Sequence, residues 1–424
     1  MPLSDILLVL RFWGALFFIG SIAYPLTKVL FGQFGRATRS SSEVRSGVWW
    51  DDGYFFSKAV GMATVTFGVF VLGSLKILPF SIESIAISMG ITFILGLLGT
   101  ILNTESRIQP ALSEAEGNAE EKEKKNSKNV LFGIHNSIFS IQRVRDWAKK
   151  MTLMTLEEAI FLGLLVFWAW IKGHEPSIHG LEKFMDFGFT KSILNGGFFP
   201  PKDIWYSGFT INYYYFGHTT LAVLTKLSGL DLAVTFNLIL AALFSLCFTM
   251  SCSIGTELAW FNLQSTNPKF QRKQNNIFTW LMKWLRLILS GLLTGFFVTL
   301  AGNMQTIYAF TRGYTGDNVK PFWELTWTFG EFMKRLPEGL NTYWYANATR
   351  FIPFTIHEFP SYSFVVSDIH GHVLSIPFAL LAIAVLIHMS LRGSRPEMGD
   401  AAILHLRSPR SPWATLSMTN VVFY

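Results

Sequence analysis

Long apolar segments are the feature of this sequence that most restricts its fold. Each one approaches the roughly 20 mostly apolar residues that an α-helix needs to cross the hydrocarbon core of a bilayer. Inside lipid, only helices and closed barrels satisfy all of their backbone hydrogen bonds. We therefore predict an all-α polytopic membrane protein with about seven transmembrane helices. The predicted spans are 6–31, 56–78, 83–102, 152–172, 231–259, 284–301 and 373–390.

The composition also favours a membrane protein over a soluble one. Half of the residues are hydrophobic and 15% are charged, whereas soluble domains carry about 25% charged residues. In a soluble protein the net charge of +7 would indicate a nucleic-acid partner. In a membrane protein, basic residues on cytoplasmic loops explain the same charge. We therefore expect membrane lipids, and no nucleic acid, as partners.

The basic residues predict the orientation of the chain. They collect in the loops at 36–45, 143–150 and 269–283, and again from residue 392 onward. With seven spans, all four groups fall on the same side of the membrane, which the positive-inside rule assigns to the cytoplasm. The N-terminus is then outside and the C-terminus inside, in the plasma membrane.

The same pattern divides the chain into four parts. Residues 1–102 form an N-terminal module of three spans, and 151–390 form the membrane core. Between them, 103–150 is a cytoplasmic linker of mixed charge that ends in an amphipathic helix or in an ordinary connector. Residues 391–424 form a cytoplasmic tail.

Two long loops of the membrane core lie outside the cytoplasm in this topology, at 172–217 and 302–371. Both are rich in Trp, Tyr, Pro and Gly, which favours folded loops, and loops of this length are usually functional. The apolar stretch 218–229 is too short to span. We interpret it as a re-entrant or interfacial helix.

Few charges lie within the predicted spans. Glu157 and Glu158 open the fourth span and Glu257 ends the fifth. A carboxylate inside the membrane is a functional hypothesis by default. At the cytoplasmic interface, however, water can reach all three, so a structural role is the favoured interpretation.

The first outer loop contains a pair of carboxylates, Glu182 and Asp186. On a helix, residues four positions apart lie on one face. Adjacent carboxylates at a lipid–water boundary raise each other's proton affinity, which suits a general base. The alternative is a solvated helix face paired with Lys183.

The second outer loop ends in an alternating triplet, Asp368, His370 and His372. An extended backbone would direct all three to one side, whereas a helix would align only Asp368 with His372. Carboxylate and imidazole together suit a divalent cation such as Mg or Mn, or an acid–base network. An interfacial turn with satisfied histidines is the alternative. Upstream, Arg350 could hold a phosphate through two hydrogen bonds, or it could pair with Glu358.

The tyrosine triplet Tyr213, Tyr214 and Tyr215 ends the first outer loop. Tyrosine favours the membrane interface because its ring is amphipathic. That preference does not explain Asn212 before the triplet or His218 after it. We expect Asn212 and His218 to face a substrate cavity and the tyrosines to form its wall.

Four sequence motifs resemble a known family and occur in order between about residues 150 and 390. They read EKFMDFGF, PPKDIWYSGFTINYYYFGH, RFIPFTIHEFPSYSF and SDIHGHVLSIPF. Together they resemble the YYY membrane protein family of archaea and Chloroflexi, named for its tyrosine triplet. That family is distantly similar to the GT-C membrane glycosyltransferases, which use polyprenyl-phosphate-linked sugars.

The GT-C resemblance implies roles for both charged groups. The catalytic base would come from the acidic pair of the first outer loop, here Glu182 and Asp186. The later Asp368, His370 and His372 would bind a metal or the lipid phosphate. The chain departs from that superfamily by placing three spans, where one is usual, before the acidic loop.

The resemblance implies a glycosyltransferase that moves a sugar from a polyprenyl-phosphate donor to a glycan or protein acceptor outside the cytoplasm. Arg350 and His218, with Glu358 nearby and a cation if one binds, would stabilise the departing phosphate. The alternative is a transporter or flippase for a lipid-linked or anionic solute, which requires charges near the middle of the bilayer. A structural subunit is a third interpretation.

Overall fold

The protein is described by a computed structural model that covers residues 2–32, 49–119, 141–265, 277–302 and 354–393, with isolated residues between 330 and 349. These ranges are mainly helical, and they contain no β-strand apart from one isolated bridge in the first long loop. The helices are α1 (Leu3–Phe31), α2 (Ser57–Ser74, preceded by a 3₁₀ turn), α3 (Ile82–Ala119), α4 (Ile141–Lys172), α5 (Lys183–Asn195), α6 (Phe216–Ser228), α7 (Leu232–Ser265), α8 (Ile277–Thr299), α9 (Pro360–Val366) and α10 (Gly371–Gly393).

Within the described ranges, seven helices are long and apolar enough to cross a membrane, which confirms the predicted spans. The largest difference is at α8, which begins at Ile277 instead of residue 284 because its amphipathic first turns are also helical. The observed spans are Leu3–Phe31, Tyr54–Ser74, Ile82–Asn103, Trp147–Lys172, Leu232–Leu263, Ile277–Thr299 and Gly371–Leu391.

Helix α7 lies at the centre of the bundle. It packs against α1, α4, α6, α8, α9 and α10, and every residue from Leu238 to Cys247 is buried. A helix that is apolar on all sides is suited to such a fully enclosed position. The two cysteines, Cys247 and Cys252, are free thiols that pack in this region, as the sequence indicates.

The short helix predicted at 218–229 is α6. It has 13 residues, and every residue from His218 to Thr225 is buried. Its neighbours are α1, α2, α3, α5, α7 and α10. A helix lying on the membrane surface would leave one face open, so this burial favours the re-entrant form of the two that the sequence allows.

Two predicted boundaries fall inside helices. Helix α3 continues past its membrane span to Ala119, and α4 runs without a break from Ile141 into the fourth span. No proline or glycine interrupts α4 before Gly163, so nothing separates a surface helix from the span. Residues 120–140, and the predicted tail from 394, lie outside the described ranges.

The chain direction assigns the helix ends to two faces of the membrane. The side that carries α5, here called the α5 face, holds the end of α4 at Lys172, the start of α7 at Leu232 and the start of α10. The loop after α2 also lies there, because the amide of Phe80 donates to the carbonyl of Gly197 at 2.6 Å. The starts of α2 and α4 and the end of α7 therefore lie towards the opposite face.

We predict that Gly61→Ala destabilises the bundle. A β-carbon at Gly61 would lie 2.5 Å from the carbonyl oxygen of Ile19, so α1 and α2 would have to separate, at a cost of about 1–3 kcal/mol. Gly90→Ala is the matched control, since a β-carbon there meets nothing within 4 Å. The thermal unfolding midpoint in detergent is the measurement. Equal midpoints for the two variants would contradict this packing.

Candidate functional site

Helix α5 brings the two predicted carboxylates to one place. Glu182 precedes its first turn and Asp186 lies within that turn. Asp186 is fully buried, whereas the side chain of Glu182 is 55% exposed. Among the residues that the structure describes, Lys183 makes no ion pair with either of them. Asp186 therefore lies on the buried side of the site, and Glu182 lies on its solvent-exposed side.

The link between α9 and α10 supplies the other half of the cluster. Helix α9 ends at Val366 and is followed by Ser367, which has a left-handed conformation (φ 62°). The next three residues are not helical. The His370 Nε2 atom lies 2.6 Å from Glu182 Oε2, across 188 positions of sequence. The His370 Nδ1 atom lies 3.2 Å from Asp368 Oδ2. Because both ring nitrogens face carboxylate oxygens, which only accept hydrogen bonds, the ring is assigned as a protonated imidazolium.

The pKa values of these groups follow from burial and from their neighbours. Burial raises the pKa of Asp186, and the charge of Asp368 raises it further. Burial also raises the pKa of Asp368. For His370, burial disfavours the charged form, but Asp368, Glu182 and Asp186 together outweigh it and raise the pKa. The cluster thus favours a cationic histidine, whereas burial opposes the ionisation of Asp186 and Asp368.

His218 of α6 closes the buried side of the cluster. It is fully buried, and its Nε2 atom lies 3.5 Å from Asp186 Oδ1. The hydroxyl of Thr190 lies 3.5 Å from its Nδ1 atom. Burial lowers the pKa of His218 to about 4, so the ring is neutral at physiological pH. Its role in this geometry is to limit the positions open to the Asp186 carboxylate.

His372, the last residue of the predicted triplet, does not join Asp368 and His370. His372 turns away from Asp368, and its Nε2 atom lies 2.8 Å from Glu358 Oε2 and 3.3 Å from Ser363 Oγ. The reason is local: α10 begins at Gly371, so helical geometry redirects the side chain that follows. The extended alternation expected from the sequence ends at His370.

Two groups of side chains in the described part of the chain could hold a metal ion, and they share His370. One consists of Asp186, Asp368 and His370, and the other of Glu358, His370 and His372. Within each group the ligand atoms lie within 4.8 Å of one another. The predicted triplet thus contributes to both groups. Asp186 adds a carboxylate to the first group, and Glu358 adds one to the second.

The first group fits a cation better. Both carboxylate oxygens of Asp186 and the Oδ1 atom of Asp368 are buried, and none of the three has a hydrogen-bond partner among the residues that the structure describes. Such oxygens are costly unless a cation or a proton satisfies them. Two carboxylates and one imidazole suit Mn²⁺ better than Mg²⁺. A bound metal would require neutral His370, so metal and imidazolium are alternative ways to balance the same charge.

The three tyrosines of the triplet have two different environments. Tyr213 and Tyr214 are exposed and joined through their hydroxyls at 2.5 Å. The Tyr214 ring lies against the backbone of Gly371, where a β-carbon would be 2.3 Å from its Cε2 atom. Tyr215 instead stacks on Phe199, with ring centroids 6.2 Å apart, in the core beside α2.

A cavity of about 430 Å³ opens beside His372 at this end of α10. It is mainly apolar, with a few polar groups at its edge. Its lining residues are Tyr214, Phe216, Gly217, Gly371, His372, Leu374, Ser375 and Phe378.

Asn212 and Arg350 complete the set of site residues predicted from the sequence. Asn212 is exposed at the start of the tyrosine segment. Arg350 lies outside the described residues. Gly371 and Thr190 also contact the cluster, and neither was among the site residues predicted from the sequence. A glycine between two histidines was the available signal for Gly371, and the spacing of four from Asp186 was the signal for Thr190.

Comparison with known proteins gives one match. The model of a family described as "Uncharacterized membrane protein (DUF2298)" matches residues 125–421. This range includes both loops that supply the cluster. No curated protein and no solved structure matches the chain.

We predict that Mn²⁺ binds between Asp186, Asp368 and His370. Binding to the folded state alone raises the thermal unfolding midpoint, so Mn²⁺ should stabilise the purified wild type, and chelation should reverse the effect. Asp368→Asn should lose most of this shift. His372→Gln is the control, because its ring lies in the other group and the shift should persist. No shift in the wild type would argue against the cation, and a shift lost only in His372→Gln would favour the group with Glu358.

Proposed function

We propose a catalytic function for this chain, which belongs to the uncharacterized membrane protein family DUF2298. In this proposal the protein is a membrane glycosyltransferase. It moves a sugar from a polyprenyl-phosphate donor to a glycan or protein acceptor at the α5 face. The motif resemblance to GT-C enzymes motivates the donor class.

The observation that carries the proposal is the convergence of the two charged loops. Glu182 and His370 are in contact at 2.6 Å although 188 positions separate them in sequence. Asp186 and Asp368 join them at the same point. Perturbed acidic groups beside a cavity are characteristic of active sites, although structural networks also produce them. Group transfer requires such groups to lie within hydrogen-bond reach of one substrate position.

Accessibility distinguishes the roles of the two acidic residues. Glu182 is 55% exposed at its side chain, so an acceptor hydroxyl can reach it. The carboxylate oxygens of Asp186 are sealed from solvent. We therefore assign Glu182 as the base that takes the proton of the acceptor hydroxyl, while His370 orients its carboxylate. Asp186 would instead help to hold a cation together with Asp368 and His370.

The departing lipid phosphate needs positive charge where its negative charge develops. His370 offers an imidazolium at the cluster, and a divalent cation held with Asp186 and Asp368 would supply Lewis-acid charge instead. Arg350, from the same long loop as His370, remains the predicted guanidinium ligand of the phosphate.

The cavity beside His372 suits the less polar part of the donor. Tyr214 presents a ring face at its edge, and Leu374 and Phe378 contribute apolar wall. An aromatic ring next to polar groups can stack on a sugar, and an apolar wall can hold the first isoprene units. The surrounding lipids would bind the rest of the donor chain.

The proposed location follows from charge. The positive-inside rule puts the basic loops in the cytoplasm, and therefore the α5 face outside it, with the N-terminus. The protein would then act at the outer surface of the plasma membrane.

Transport of a lipid-linked or anionic solute is the second candidate. The observation that favours it is the burial of Glu157, Glu158 and Glu257 within membrane-spanning helices, since ionisable groups at such depths are frequent in transporters. The charged cluster at the α5 face favours transfer instead, because it lies at the ends of helices.

Glu182→Gln tests the assigned base. Loss of a general base typically slows a reaction by about 100-fold or more, so release of polyprenyl phosphate from a labelled polyprenyl-phosphate sugar should fall by roughly that factor. Glu175→Gln is the matched control, because Glu175 is an exposed carboxylate of the same loop, bonded to Ser177. Unchanged turnover in Glu182→Gln would contradict the assignment. Movement of the intact donor across liposomes, without release of phosphate, would favour transport.

Tyr214→Ala tests the cavity. Losing one aromatic contact costs about 0.5–1.5 kcal/mol. KM for the donor should therefore rise about two- to tenfold and kcat should change less, since the contact is made in both ground and transition states. Tyr206→Ala is the control, because Tyr206 is an exposed ring of the same loop that packs on Phe209 instead. Equal KM values for the two variants would remove Tyr214 from the substrate site.

A further inference from the structure

A second polar cluster lies inside the membrane region, towards the face opposite α5. Glu157 and Glu158 sit in the middle of the fourth span, and Glu157 is about 22 Å along α4 from its end at Lys172. The sequence predicts that water reaches these glutamates and Glu257. The structure corrects this expectation: all three are buried, and Glu157 is 2% exposed. They cannot be explained as side chains that reach out to the interface.

Both carboxylate oxygens of Glu158 accept hydrogen bonds, and a lysine balances its charge. Its Oε1 atom accepts a hydrogen bond from the indole of Trp13 at 2.6 Å. Its Oε2 atom accepts one from the Tyr54 hydroxyl at 2.8 Å and one from the Lys58 ammonium at 2.5 Å. This carboxylate therefore ties α4 to α1 and to the start of α2 as a charged group.

Glu157, the next residue, has no such compensation. Neither of its carboxylate oxygens has a hydrogen-bond partner in the described part of the chain. Its charged neighbours are Asp51, Asp52, Glu158 and Lys58, and negative charges predominate among them.

The nearby donors and cations serve other groups. Lys58 is bound to Glu158, and Lys150 pairs with Asp52. Asp51 accepts the backbone amides of Gly53 and Phe55, at 2.8 and 3.3 Å.

Two further groups face this region. The tyrosines Tyr24 and Tyr54 are near enough to interact electrostatically with Glu157, and both are neutral. Glu257 accepts the amide of Trp50 at 3.0 Å and adds a further carboxylate beside Asp51. Ionised Glu157 would thus be an uncompensated anion in the membrane interior, which is strongly unfavourable.

We propose that Glu157 is a proton-binding site within the membrane, occupied at neutral pH and located towards the face opposite the α5 cluster. The ligand is a proton and not a metal ion. In the described ranges, three ligand atoms come within 4.8 Å of one another only at the α5 face. A proton is the one cation that neutralises a carboxylate without further ligands. Neutral Glu157 lets α4 pack beside Asp51 and Lys58, and loss of the proton would place a charge at that contact.

Infrared spectroscopy tests the proposal independently of any activity, using full-length protein in detergent or liposomes. The wild type should show the carbonyl band of a protonated carboxylic acid at neutral pH, and Glu157→Gln should lose one such band. Glu158→Gln is the matched control on the same helix, and its spectrum should keep that band. No difference between wild type and Glu157→Gln would overturn the proposal.

Stability gives a second measurement. Glutamine resembles a protonated glutamate, so Glu157→Gln should unfold at the same temperature as wild type or at a higher one. Glu158→Gln should unfold at a lower temperature, because it leaves the buried Lys58 without its partner. The unfolded state ionises Glu157 at neutral pH and the folded state does not, so stability falls as pH rises. The wild type should therefore lose more stability between neutral and alkaline pH than Glu157→Gln.

Glu157→Asp tests the same proposal if Glu157→Gln does not fold. Glu157→Asp keeps the carboxyl group, and it should retain the protonated band at a shifted frequency. An unshifted band in Glu157→Asp would assign the signal to another residue and overturn the proposal. The α5 cluster does not contribute to this comparison, since it is the same in every variant.

Discussion

The cost of burying charge in a membrane protein is the constraint that organises both polar regions of this molecule. At the α5 face the His370 ring lies between the carboxylates of Glu182 and Asp368, which holds the two long loops together. Towards the other face, Lys58 and two neutral donors compensate Glu158. At Asp186 and Glu157 the carboxylate oxygens have no hydrogen-bond partner within the described part of the chain, and they mark positions for a cation or a proton.

The buried helix α6 connects this electrostatic arrangement to the fold. It is too short to span, and it lies within the bundle because its apolar and threonine side chains are enclosed by spans on several sides. Its start carries His218 to Asp186 and Tyr214 to the backbone of Gly371. A side chain at Gly371 would displace the Tyr214 ring, so close backbone approach is part of the site's construction.

Much of this could be predicted from particular residues. The spans followed from segment length, because lipid leaves the backbone few alternatives. Glu182 and Asp186, like Asp368 and His370, were recognisable as charges in aromatic-rich loops at the ends of spans. The contact of His372 with Glu358 could not be predicted from the alternating D-x-H-x-H pattern, because the first turn of α10 changes the direction of this side chain. Tyr215 looked equivalent to its neighbours, yet it packs on Phe199 in the core.

The sequence by itself determined that the chain crosses the membrane repeatedly, and which loops hold its polar chemistry, because hydrophobic length and residue type are local properties. The tertiary structure alone decided which of those groups meet. Contact between Glu182 and His370 depends on the packing of α5, α6 and α10 around α7. The difference between the adjacent Glu157 and Glu158 depends on whether a donor from α1 or α2 reaches each one. Such pairings arise between segments far apart in sequence, and no local pattern records them.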